Sequence, residues 1–88
     1  MDATTDTPQQ DQTPHVVRTA LDVGQMVKRQ RNGMNLRQLD VAGLANTGNR
    51  LIVDVENGKP TVQLQKVLDL LDILGLEVVI QPKTSRTL

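Results

Sequence analysis

LRQLDVAGLANTGNRLIVDVENGKP, residues 36–60, holds two short runs with apolar positions at helical spacing, separated by four small or polar residues. The first run, 38–44, turns Val41 and Ala42 inward, and the second, 49–57, turns Ile52 and Val55 inward at i and i+3. Residues 45–48 make the turn between them, Gly58 supplies a stop that tolerates positive φ, and Pro60 closes the exit. Two short helices across a tight turn form a helix-turn-helix, in which the first braces the second. The second can then carry its outer side chains into the major groove of a DNA duplex.

Upstream, Thr19 and Asp22 have capping-box spacing, Val23, Met26, Val27 and Met34 follow with helical periodicity, and Asn35 is a left-handed stop. Downstream, Thr61 reads as the cap of a helix with Leu64, Val67, Leu68, Leu71 and Leu74 on one stripe, ended by Gly75. Leu70 and Ile73 widen that stripe beyond what a helix buried on one side needs, so a second chain is expected to cover them. LEVVIQ, residues 76–81, is short, β-branched in its middle and stopped by Pro82, which predicts a strand. No other segment reads as its partner. The strand is therefore expected to pair with its copy in a homodimer through Leu76, Val78, Val79 and Ile80. The expected fold is all-α, four helices of a helix-turn-helix domain plus one C-terminal β-strand in an intersubunit antiparallel sheet. Residues 1–15 are almost without apolar side chains and are expected to be a disordered tail, with the domain over 16–81 and a second flexible tail over 82–88.

The chain has 88 residues, 38% of them hydrophobic, enough for one small domain with a modest core that a partner chain would help to stabilise. No stretch approaches the roughly 18–20 apolar residues of a membrane span, and no signal-peptide pattern opens the chain, so a cytoplasmic protein without a membrane partner is expected. With no cysteine and a single His15 in a polar stretch, neither a disulfide frame nor a metal cluster is expected. The absence of Phe, Trp and Tyr removes the stacking platforms of single-strand binders but leaves duplex DNA open. Net charge is zero, yet Asp2, Asp6 and Asp11 sit in a stretch without Lys or Arg. The remainder holds ten basic and seven acidic side chains, a balance of +3. There is no domain histidine, glycine-rich phosphate loop or close carboxylate pair, so no enzyme, catalytic residue, cofactor or small-molecule substrate is expected.

From VGQMVKRQR (23–31) through Gln38 and Ala42 to ENGKPTVQLQKVLDLLDILGLEVVI (56–80), the chain resembles, without a gap, the Xre/Cro/C1-type helix-turn-helix regulators. Within them it is most similar to the HipB-like antitoxins, which add a C-terminal strand. Arg37 stands where that family has a Thr or Ser cap, Asn46 where it has a turn glycine, and Val41 where it has Leu. Asn accepts left-handed geometry, and Arg37 exchanges a capping oxygen for a phosphate contact.

The resemblance implies that Gln38 touches a phosphate and braces the recognition helix, that Asn57 and Lys59 meet phosphates, and that Arg31 and Glu56 form a structural salt bridge. By chemistry, Arg50 suits guanine O6/N7, Asn49 suits adenine N6/N7, Val53 a thymine methyl, and Asp54 either a cytosine amine or the steering of Arg50. Gly48, opening the second helix of the motif, is read either as a close approach of backbone to phosphate or as turn geometry. Lys28 and Arg29 read as a solvated face or as backbone steering, and Leu39 as an ordinary surface leucine or a contact for a protein partner. The resemblance further implies a dimer that represses its own operon on double-stranded operator DNA and neutralises a HipA-type Ser/Thr kinase toxin. A free-standing regulator without a toxin, or an interaction module that has lost DNA binding, are the other readings of the same pattern.

Overall fold

The computed structural model describes residues 14–83, so the expected tails fall almost wholly outside the described residues. Among the described residues four helices follow one another: α1 Ala20–Gly33, α2 Gln38–Leu44, α3 Asn49–Glu56 and α4 Leu64–Ile73. α1 starts where its cap demands. Thr19 Oγ1 accepts from the Asp22 N–H at 3.0 Å, while Asp22 Oδ2 accepts from the N–H groups of Arg18 at 2.8 Å and Thr19 at 3.2 Å. The Arg18 N–H, against an opposing effect of desolvation and with help from the Thr19 hydroxyl and N–H, holds the Asp22 carboxyl below its ordinary pKa. Left-handed asparagines turn the chain within the first two connections, Asn35 at φ 59° between α1 and α2 and Asn46 at φ 53° between α2 and α3. The Asn46 geometry lets the Thr47 N–H reach back to Ala42 O at 3.0 Å.

The core joins all four helices through Val27, Val41, Ala42, Ile52, Val55, Leu70, Leu71 and Leu74. Ile52, Leu70, Leu74, Val27 and Val41 are fully buried, each side chain worth about 1.5–3 kcal/mol relative to exposure. α3 packs against both α1 and α2. It lies so close to α1 that a Cβ on Gly24 would fall 2.1 Å from Val55 O, so glycine is required there. Gly58 is required twice over: its φ is +77°, and a Cβ would meet Leu21 Cα at 2.7 Å. Across the bundle, Gln30 Nε2 donates to Leu74 O at 2.8 Å and closes the carbonyl end of α4.

Several sequence expectations change. α4 begins at Leu64 with Gln63 as its N-cap and no capping side chain, so Thr61 lies in the preceding turn rather than at a helix start. Leu64, at the open end of α4, is 69% exposed and does not join the apolar stripe. Met34 has left α1 and is exposed. Leu70 is 1% exposed because the chain's own core closes over it, so it needs no second chain. α3 stops one residue before the expected end, with Asn57 as its cap donating to Val53 O at 2.9 Å. Among the described residues no strand is formed, and 76–83 run without regular structure after the Leu76 N–H bonds to Leu71 O at 2.8 Å. Among the described residues no helix is long and apolar enough to cross a membrane.

Candidate nucleic-acid interface

The second helix of the motif is held by its last residue. Glu56 is buried at the C-terminal end of α3 and receives Arg31 from α1 in two-pronged fashion, Nε to Oε2 at 2.6 Å and Nη2 to Oε1 at 3.0 Å. Gln38, the first residue of α2, adds Nε2 to Oε1 at 3.1 Å. The remaining arm of Arg31 donates from Nη1 to Leu36 O at 2.8 Å in the link before α2. Three helices thus converge on one carboxylate, and its hydrogen bonds are the main reason the Arg31 pKa is raised, against the opposing effect of burial. Gln38 braces α3 through Glu56, with its amide nitrogen turned inward.

On the outer side of α3, Arg50 is 83% exposed along its side chain and places Nε 3.3 Å from Asp54 Oδ1, one turn on. The second oxygen of Asp54 faces Lys59 Nζ at 3.7 Å, so a carboxylate on α3 stands between two cations. The Lys59 N–H also bonds to Asp54 O at 3.0 Å, which ties the exit loop to the helix. Val53 is half-buried on α3, and Asn57 and Lys59 are exposed just beyond it.

Asn49 sits otherwise than its chemistry proposed. Its Oδ1 is buried without a hydrogen-bond partner. A two-point contact with adenine needs the amide oxygen and nitrogen presented together, so Asn49 must leave this orientation before it can read a base. Gly48 is the N-cap of α3 with φ −79°, and a Cβ there meets nothing within 4 Å. Turn geometry therefore does not require its glycine. Arg37 precedes α2 as N-cap, and its backbone N–H and guanidinium both donate to Asp40, at 2.7 Å from N and 3.1 Å from Nη2. Arginine has no acceptor to cap with, so the carboxylate of Asp40 does the capping from the other side. That pairing holds the Asp40 carboxyl below its ordinary pKa, chiefly through the guanidinium and then through the Arg37 N–H.

The structure brings some of the site residues together in two groups, Gln38 with Arg31 around Glu56 and Arg50 with Lys59 around Asp54, while Arg37, Gly48, Asn49, Val53 and Asn57 stand outside both. Sequence reading left out a groove beside the second group, lined by Thr47, Asp54, Lys59, Thr61, Gln63 and Lys66 among others. Lys66 was the available signal, a basic residue in the first turn of a helix read only for its apolar stripe. Lys28, Arg29 and Leu39 are exposed.

Two short helices joined by a tight turn, the second pinned from behind and carrying an exposed arginine on its outer side, make this a helix-turn-helix protein. The chain is 47% identical over 62 residues to the uncharacterized HTH-type transcriptional regulator y4mF of Sinorhizobium fredii, covering 70% of this chain and 82% of the relative. It belongs to the HTH-type transcriptional regulators. No protein-family model matches the chain.

Proposed function

We propose that this chain is a sequence-specific repressor that binds double-stranded operator DNA in the cytoplasm, with α3 in the major groove and Arg50 as its principal base contact. The observation that carries the reading is the fixed mount of α3, set by Glu56 between Arg31 and Gln38, with Arg50 left exposed on the helix. A rigid mount matters because base readout needs donors held in register with an acceptor pair. Arg37, Asn57 and Lys59 supply phosphate contacts on either side, with Gly48 opening α3 close to the backbone and Val53 and Asp54 on the helix itself.

The active form is a homodimer joined through residues 76–81. Ile80 is 95% exposed and Val78 and Val79 are more than half exposed, an apolar run that water disfavours and that a second copy would cover together with Ile73 and Leu76. Two recognition helices would then meet half-sites about one helical turn apart, roughly 34–36 Å. The resemblance of residues 56–80 to the HipB-like antitoxins supports a narrower reading, in which the dimer represses its own operon and neutralises a HipA-type kinase toxin.

Gel retardation with the chain's own upstream DNA, wild type beside Arg50→Ala, tests the DNA reading. The wild type is expected to retard the fragment and the variant to lose about tenfold in affinity or more. Equal absence of retardation would leave an interaction module. Co-purification of a HipA-like kinase with the tagged chain tests the antitoxin reading, and its failure leaves a free-standing regulator.

A further inference from the structure

We propose that Asp54 sets the sequence selectivity of this chain as a positioning residue, aligning Arg50 for base readout and weakening, without abolishing, the contact of Lys59 with phosphate. The proposal rests on the reading of α3 as a DNA-recognition helix. Each oxygen of Asp54 serves a different cation, Oδ1 at 3.3 Å from Arg50 Nε and Oδ2 at 3.7 Å from Lys59 Nζ. The Asp54 side chain is 22% exposed against 83% for Arg50, so the anchor is held in the fold while the arm it guides reaches solvent.

Two consequences follow from the chemistry of the guanidinium. With Nε engaged by Asp54, the terminal Nη groups remain to meet an acceptor pair end-on, the arrangement that guanine O6 and N7 accept. Arg50 and Lys59 also share one compensating negative charge, that of Asp54. Cations released from that charge would bind phosphates of any sequence, which raises affinity without discrimination. Asp54 thereby lowers the indiscriminate part of binding and keeps the selective part. Lys66 lines the same groove and adds to the positive field that Asp54 offsets.

Selection of full-length wild type, Asp54→Asn, Arg50→Ala and the double variant against a randomised duplex library, with a salt titration of each, is the test. Asp54→Asn is expected to bind the unselected library more tightly, with a salt slope steeper by about 0.9 for each additional phosphate neutralised. Its discrimination between selected and unselected duplex is expected to fall about tenfold. Arg50→Ala should lose discrimination equally, and adding Asp54→Asn to it should lose no more. A wild-type discrimination ratio and salt slope in Asp54→Asn would reduce the pair to a surface ion pair and overturn the proposal. A switch of preferred base at one position, with affinity for the unselected library unchanged, would overturn it in favour of direct base contact by Asp54. Failure of the wild type to enrich any sequence would instead remove the DNA reading itself. Thermal melting of each variant separates these outcomes from loss of fold.

Discussion

Gln38 and Glu56 stand 3.1 Å apart, the first residue of α2 donating to the last residue of α3 on the carboxylate that Arg31 grips from α1. Removing one partner of a buried pair strands the other. Arg31→Ala is expected to lower stability by about 3–5 kcal/mol, and Gln38→Ala, which costs a single hydrogen bond, by about 1 kcal/mol. Replacing both ions together, Arg31→Met with Glu56→Leu, should recover most of the loss. Urea unfolding followed by circular dichroism reads all three.

Gly24 of α1 and Gly43 of α2 should respond in opposite directions to alanine. Gly24→Ala drives a methyl group into Val55 O and is expected to cost at least the upper end of the usual overpacking range, about 3 kcal/mol. Gly43→Ala, on a helix position where a Cβ meets nothing within 4 Å, is expected to stabilise the fold by about 0.4–1 kcal/mol. Thermal melts of the two variants, compared with the parent, give the sign directly.

Asp22 and Asp40 both give up their protons more readily in the fold than in the open chain. Their contributions are therefore present in full above the ordinary Asp value of about 3.9, and are lost as pH falls through the lower folded values. Stability is expected to change little through these two groups between about pH 7 and 5 and to decline below about pH 4. The double variant Asp22→Asn with Asp40→Asn should start lower at neutral pH and decline less steeply on acidification. Chemical denaturation across that pH series is the measurement.

The unpaired amide oxygen of Asn49 offers a stabilising change. Asn49→Ala removes a buried acceptor that lacks a donor and places a strong helix former in the first turn of α3. A gain of up to about 1 kcal/mol is expected from calorimetry.

An aspartate in the exposed run at 78–80 tests the homodimer. Val79→Asp is expected to convert a dimer into a monomer in sedimentation equilibrium while leaving the helical content of the chain intact. A wild type that sediments as a monomer would remove the homodimer from the proposed function.

The helix-turn-helix was legible because two periodic runs, a four-residue turn and a glycine stop all agree, and α2 lies where that pattern puts it. The start of α4 was not. Thr61 is as good a turn former as a cap, and after Pro60 the turn continued to Gln63. Periodicity also says which positions of a helix are apolar and nothing about who covers them, which is why Leu70 read as a surface for a second chain. Residue type alone left Asn49 open to a base edge, while the packing at the start of α3 turns its oxygen inward. The i,i+4 spacing of Arg50 and Asp54 is visible in the sequence, but the approach of Lys59 depends on the loop folding back over the helix.

Gly24 fixes α3 at backbone contact with α1, and Ile52, Val55 and Glu56 complete the attachment from the inner side of the helix. None of the outer letters of α3 takes part in that attachment. A change at the exposed Arg50 therefore leaves the cradle beneath in place, so the outer side of α3 can alter its chemistry while the mount keeps its shape.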